Sequence, residues 1–402
     1  MTMNKVDVCI IGAGLSGACI ARTLASHNKT VLIIDVRSRV GGRLLTAASG
    51  CDMGGAWLWP RSEHNMANLL QELNIETVPM RMDGVSMAYT SDDKQHVIPD
   101  GQAAMYAACG GGALRIRNGA SKLVSELLRE HSVQLGMQVT QIDYVNKKEV
   151  KVKCVKIDSI DGNSTRMITC SAVVIAAPPK VVATTIQFVP NLPKEKVDNM
   201  IATPTWMQDY GKVAVSFHTN WWRQQGLSGV SIDHVGAVAT WWEACSGSDN
   251  DGTLPTLAGF VTEQGAEVLH KIILDECSSL FEYILESLRR VYGVDLVKTK
   301  KDVTIQGSPE KDGLIITNGS ITVSYKSWLQ DAFTNAKDEG PNQQSERLNF
   351  TCDYGDELCK RSIGPLFFAG TETAAGAHGH MEGAVIAAER AAAEVLHYLC
   401  NE

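Results

Sequence analysis

Near the N-terminus an apolar run, Val6 to Ile11, stops at Gly12-Ala13-Gly14-Leu15-Ser16-Gly17, and a helical pattern from Leu15 to Ser26 follows at once. A second apolar run, Thr30 to Ile34, ends on Asp35. Strand, helix and strand within about thirty residues imply a parallel pair with a right-handed crossover. Gly12 permits the tight turn, Gly14 lets backbone approach a pyrophosphate, and Gly17 lets the helix close on the strand. Ala13 and Ser16 sit where the unpaired N–H groups and positive dipole end of the helix face that anion. Asp35 is placed to accept hydrogen bonds from a ribose and disfavours a 2′-phosphate. This is a dinucleotide half-site.

The rest of the chain reads as two kinds of structure. Helices are expected at Asn65 to Leu73 and Ala120 to Glu130, followed by a strand at Gln138 to Ile142. Val150 to Ile157 and Arg166 to Cys170 alternate around Asp161-Gly162, a hairpin signal. Ala172 to Ala177 is an apolar strand halted by Pro178-Pro179. From Ile186 to about Asn349 short strands dominate, with one long helix expected from Glu276 to Tyr292. An apolar strand, Leu366 to Ala369, and a helix from about Gly383 to Cys400 close the chain. The expected fold class is α/β with an α+β substrate part. A doubly wound β-α-β nucleotide domain is discontinuous (1–77, 113–182 and 362–402) and joined to a β-sheet-based substrate domain (78–112 and 183–361).

Composition narrows the partners. Lys and Arg number 37 against 45 Asp and Glu, a net charge of −8, so the basic face that nucleic-acid binding needs is not expected. The 11 cysteines have no regular spacing and no CxxC pair, which argues against a disulfide scaffold or a metal centre. No apolar stretch reaches membrane-spanning length, and Met1 to Asp7 lacks a secretory pattern, so a cytoplasmic protein is expected. Oligomeric state leaves no readable signature.

Directly after the acid comes Arg37-Ser38-Arg39-Val40-Gly41-Gly42-Arg43, then Asp52-Met53-Gly54-Gly55-Ala56-Trp57. Two close glycine pairs suggest backbone passing tightly along an extended ligand, with Arg43 available to the phosphates. The ordered set resembles the flavin-containing amine oxidases, the family of monoamine and polyamine oxidases. Later segments agree: Val173-Val174-Ile175-Ala176-Ala177-Pro178-Pro179, then Phe367-Phe368-Ala369-Gly370-Thr371-Glu372-Thr373 with Gly379-His380-Met381-Glu382-Gly383. The resemblance implies FAD. It assigns Arg37, Gly42, Arg43, Gly54, Gly55, Ala56, Trp57, Gly370 and His380 to the cofactor site, and puts the backbone of Val139 on the adenine. It also implies Glu372 near the pyrophosphate-ribitol region, with the helix start at Met381 near the flavin ring, where a positive dipole end suits the reduced state.

The resemblance further implies an oxidoreductase that takes a hydride from the carbon beside a neutral amine nitrogen of a small-molecule substrate. The imine is hydrolysed, and O2 accepts the electrons to give H2O2. Departures cluster at the reaction site. Trp328 and Phe333 keep an outline in which the family carries a flavin-linking cysteine, but that position falls on about Lys337, so non-covalent FAD is expected. His380 stands where the family has the second aromatic of its substrate cage, and the first falls near Asp338. Thr185, in Thr185-Ile186-Gln187-Phe188, stands where the family's flavin-proximal lysine is expected. His380, Trp328 and Thr185 are therefore the candidate catalytic positions, with His380 a base or polar contact. Two alternatives stay open: an FAD-dependent dehydrogenase or desaturase acting on a non-amine or unusual substrate, and an FAD-binding protein without catalysis.

Overall fold

The computed structural model describes residues 5–99, 102, 109–146, 148–157, 165–245, 253–294, 296, 303–336 and 357–401. Asp161-Gly162, Lys337 and Asp338 lie outside them. The opening strand Lys5–Ile11 pairs in parallel with Val31–Ile34 on one side and Thr165–Ile175 on the other. Leu366–Phe368 adds in parallel beside Val173–Ile175, so the end of the chain completes the sheet begun at its start. Val150–Lys156, Met137–Asp143 and Gln187–Val189 extend it outward.

Both faces of this sheet are covered, which explains its near-continuous apolar strands. Successive side chains point to opposite faces: Val8 and Ile10 join one core cluster, Cys9 and Ile11 the other. On the first face the helix Leu15–Ser26 packs against the terminal helix Met381–Asn401. Small side chains there, Ala18 and Ala21 with Ala388 and Ala391, are fully or almost fully buried.

The second sheet has nine strands and is antiparallel except where Leu227–Asp233 meets Val85–Tyr89. At its centre Gly211–Phe217 lies between Thr256–Val261 and Ile321–Ser327, and every residue of that strand is buried. Helices Glu263–Glu276 and Ser279–Tyr292 cover one face. The sequence signalled only the second, which buries Leu280, Phe281, Ile284, Leu285 and Leu288, whereas the first buries only Gly265, Ala266 and Leu269. A helix so weakly anchored carries a faint apolar stripe.

Sheet membership moves one expected boundary. Gln187–Val189 pairs with Met137–Asp143 in the nucleotide sheet, and helix Lys194–Ala202 packs on Pro179–Thr185. After Val85–Tyr89 and Gln95–Ile98, the chain therefore returns to the second sheet at Gly211, not at 183. Thr165–Ile175 also runs as one strand through the expected gap at Ser171.

The two sheets are tied by a buried charge cluster. Arg37, just past the second strand, donates from both terminal nitrogens to Asp331 at 2.9 and 2.8 Å and also to Thr334 at 3.0 Å. Lys326 Nζ donates to the same carboxylate at 2.6 Å. Burial alone would push the Asp331 carboxyl up, but Arg37 and Lys326 hold it below its usual range.

Candidate active site between the two sheets

A cavity of about 920 Å³ runs from the glycine turn to the central strand of the second sheet, the upper part of the range for small-molecule sites. At its nucleotide end, a Cβ on Gly12, where φ is +110°, would lie 2.6 Å from Ala176 O, so only glycine fits. A Cβ on Gly17 would meet Gly12 O at 2.0 Å, which is the close helix–strand approach expected of the third glycine. Gly14 caps the helix and has no side chain with which to satisfy its first N–H groups. They remain available to an anion.

Asp35 is buried, with Oδ2 accepting from Ala13 N at 2.7 Å and Oδ1 from Arg37 N at 2.8 Å. Burial pushes its carboxyl up from the usual range, against the pull of these two bonds. Each oxygen keeps a lone pair for a hydroxyl. Gly370 N donates to Ser16 Oγ at 3.2 Å, so the opening turn and the closing strand touch. Val139 lines the wall beyond Asp35.

The arginines divide their work in a way the sequence did not foretell. Arg37 reaches the cavity wall, but its guanidinium is taken by Asp331 and Thr334 and lies 5.3 Å from the Phe333 ring centroid, so it is not a free phosphate ligand. Arg43 lines the cavity and pairs with Glu372, Nη1 to Oε1 at 2.6 Å. Glu372 is buried behind it and is not itself in the wall.

Farther along, Gly42, Gly54, Gly55, Ala56 and Trp57 form the wall. A Cβ on Gly54 would meet Arg43 O at 1.8 Å and Trp328 Cζ2 at 3.2 Å. Trp328 lines the cavity and donates from its indole to Met53 O at 2.9 Å, which fixes the ring against that glycine pair.

The lysine position is a correction. Thr185 lines the cavity, but its hydroxyl donates to Val181 O at 2.6 Å at the end of its own helix. The lysine in the wall is Lys212, on the buried central strand. Its Nζ donates to Asp52 O at 3.0 Å and Gly54 O at 2.7 Å. The rings of Trp57, Trp242 and Phe260 surround it at 5.6, 5.5 and 5.3 Å. Burial lowers its ammonium from the usual range, opposed by Cys51 and Asp52. Trp241 and Trp242 are both buried, and neither is in the cavity wall.

At the far end His380 precedes the terminal helix, with Met381 at its first turn. His380 Nδ1 lies 2.7 Å from Glu63 Oε1. Trp59 and Trp206 flank the imidazole, with ring centroids 5.4 and 6.0 Å away. Gly379, at φ +78°, admits Trp206, since a Cβ there would lie 2.1 Å from Trp206 Cγ. These three residues, Trp59, Trp206 and Glu63, were not candidates from sequence. Only the Gly-Ala-Trp run two residues before Trp59 marked the neighbourhood.

The model of the flavin containing amine oxidoreductases matches residues 102–396, and that of the NAD(P)-binding Rossmann-like domain matches residues 10–73. The chain belongs to the flavin-containing amine oxidoreductases. It is 22% identical to amine oxidase [flavin-containing] A of Bos taurus, over 98% of this chain and 85% of that protein. It is 23% identical to amine oxidase [flavin-containing] B of the same species, over 98% and 86%. The fold is shared with cyclohexylamine oxidase from Brevibacterium oxydans IH-35A, at TM-score 0.71 and 19% identity over 98% of this chain and 99% of that one. Putrescine oxidase bound to putrescine superimposes at TM-score 0.68, also at 19% identity, over 98% and 100%.

This oxidoreductase uses FAD, and the cavity fits that group. The Gly12 and Gly14 turn leaves a Cβ-free approach at an uncapped helix start, with the Asp35 carboxylate beyond it. A second Cβ-free stretch at Gly54 and Gly55 lies against Trp328 and Met381.

Proposed function

We propose that this oxidoreductase oxidises a primary or secondary amine, or an amino acid, with O2 as electron acceptor, and that it holds FAD non-covalently. The observation that carries the reading is the meeting of Lys212, from the central strand of the second sheet, and His380, just before the terminal helix, in one cavity continuous with the nucleotide turn. Bound FAD supplies a two-electron acceptor for the hydride on the carbon that bears nitrogen.

The protein side of the reaction follows from these side chains. An ammonium has three donors, and the carbonyls of Asp52 and Gly54 take two from Lys212, leaving the third for the cavity. Lys212 is proposed to take the role that resemblance alone put at Thr185. A positive charge held there by the carbonyls and rings would stabilise electron density gained by bound FAD. Gly12, Gly14, Ser16 and Asp35 are proposed to hold the pyrophosphate and ribose, Val139 the adenine. The Arg43–Glu372 pair and Met381 are proposed to serve the pyrophosphate-ribitol stretch and the ring.

His380 lines the cavity with Nδ1 engaged by Glu63, and its Nε2 is proposed to meet the substrate. It accepts the proton that an amine must lose before it can release hydride. Trp59 and Trp206 supply flat apolar walls that orient the C–H bond. A buried lysine in the cavity favours a working enzyme over an FAD-binding protein without catalysis.

The test is an anaerobic screen of amines and amino acids against the purified yellow protein, watching the oxidised-flavin band at about 450 nm. Bleaching by an amine, followed by peroxide on admitting air, supports the reading. Bleaching only by non-amines, or reoxidation only by another acceptor, refutes it. Acid precipitation should leave the yellow colour in the supernatant, and flavin retained on the chain refutes non-covalent binding.

A further inference from the structure

Glu63 was unmarked by sequence, yet it is buried beside the reaction end of the cavity. Its two oxygens have different tasks. Oε2 accepts from Trp59 N at 2.9 Å, and Oε1 meets His380 Nδ1 at 2.7 Å. An ionised carboxylate only accepts hydrogen bonds, so Nδ1 must carry the hydrogen. In the neutral imidazole Nε2 is then the nitrogen with the lone pair.

The ring's plane is fixed as well as its tautomer. Trp59, whose own backbone is held by Glu63, lies 30° from the plane of His380, and Trp206 stands at 64° on it. A second carboxylate braces the pair from the other side. Glu382, in the first turn of the terminal helix, accepts from Asn65 N and Nδ2 at 3.1 and 2.8 Å and from Met66 N at 2.6 Å. It caps the helix His64–Glu72, the same helix that Glu63 precedes. Each helix start thus lends a carboxylate to the other, and the distance between Glu63 and His380 is set by two locks.

We propose that Glu63 is a positioning residue which fixes His380 as the Nδ1–H tautomer and so makes Nε2 the acceptor of the substrate ammonium proton. The step is a proton transfer alone: an N–H bond of the ammonium breaks, the Nε2–H bond forms, the amine keeps its lone pair, and no electrons move between partners. The Glu63 carboxylate then pairs with the imidazolium that results. The inference rests on the amine-oxidation reading above and adds a residue and a tautomer to it.

The experiment uses FAD-loaded protein, wild type and the variants Glu63→Gln, Glu63→Asp and His380→Gln. Imidazole nitrogen-15 shifts are recorded with label in the histidines, and the His380 signals are identified by their loss in His380→Gln. Wild type is expected to show Nδ1 protonated and Nε2 unprotonated. In Glu63→Gln the single amide oxygen is claimed by Trp59 N, which turns the NH2 toward Nδ1, so the tautomer should shift toward Nε2–H. Anaerobic flavin reduction by cyclohexylamine, benzylamine and putrescine is followed in parallel. Glu63→Gln should slow reduction roughly 10–100-fold, with the visible spectrum of bound flavin unchanged and partial recovery in Glu63→Asp.

An Nε2–H tautomer in wild type overturns the proposal. So does a Glu63→Gln enzyme that reduces its flavin at the wild-type rate, or a His380→Gln enzyme that does. If Glu63→Gln does not fold, the wild-type tautomer and the Glu63→Asp rate decide. If no amine bleaches wild-type flavin, the oxidation reading fails, and the tautomer still decides whether Glu63 sets the ring.

Discussion

Replacing Asp331 by Asn removes one negative charge from a place where it serves two cations. The side chains of Lys326 and Asp331 are wholly buried, and that of Arg37 is 6% exposed. Breaking a buried ion pair from one side costs about 3–5 kcal/mol, because the remaining charge stays unpaired. Two cations lose their partner here, which argues for the upper part of that range, but Lys326 has an escape. Burial lowers its ammonium to about 8, with Asp331 the main opposing influence. Without the carboxylate it sheds its proton near neutral pH, which limits the penalty to about 4 kcal/mol. At about 2–4 °C per kcal/mol for a sizeable domain, Tm should fall by roughly 8–16 °C. The loop concerned carries Trp328, Ala332, Phe333 and Thr334 into the cavity wall, so FAD should also dissociate more readily. Thermal unfolding of the FAD-loaded protein, with flavin fluorescence reporting release, measures both. The triple variant Arg37→Met/Lys326→Met/Asp331→Leu should recover most of the loss, because apolar side chains leave no buried charge. A drop under about 2 °C for Asp331→Asn would refute the reasoning.

Three further outcomes follow from the same geometry. Burial pushes the Asp52 carboxyl up to about 6, against Thr46, Ala120 N and Lys212. The folded protein then holds a proton that the unfolded chain releases, so stability falls as pH rises from about 4 to 6. Asp52→Asn should lack this fall, gaining about 1–3 kcal/mol on wild type across the window in urea melts; parallel curves would refute the assignment. Gly12→Ala forces a Cβ to 2.6 Å from Ala176 O at a positive φ, and the purified variant should be colourless; a yellow protein with full flavin content would count against the phosphate turn. Lys212→Met keeps the volume of the side chain and removes its charge, so flavin content should hold while turnover falls on the order of 10²-fold; an unchanged steady-state rate would remove Lys212 from the mechanism.

The nucleotide half of the molecule was legible because its chemistry is local. Gly12, Gly14 and Gly17 do their work within one turn, and Asp35 reaches Ala13 through a strand pairing that the βαβ order already dictates. The apolar runs at Val6, Val173 and Leu366 announce strands buried on both faces, and parallel order leaves few ways to combine them. The second sheet was legible only in kind, since short antiparallel strands name no partner. The helix Glu263–Glu276 was missed because three buried residues, one of them glycine, make no stripe.

The reaction end of the cavity shows where sequence stops. Lys212 reads as one polar residue in an apolar strand, and the resemblance puts the family's lysine position, after the double proline, at Thr185. Only the packed strand shows Lys212 among three rings and two carbonyls. The resemblance puts Arg37 in the cofactor site, but Asp331, far along the chain, claims its guanidinium. Glu63 and His380 are likewise distant in sequence and 2.7 Å apart in space. The sequence by itself determined the dinucleotide half-site, the glycine turn and the α/β fold class, since these depend on backbone conformation and near neighbours, and FAD came through the family resemblance. The tertiary structure decided which charges face the cavity, because a buried charge goes to whichever partner the fold brings within hydrogen-bonding distance, at any separation along the chain.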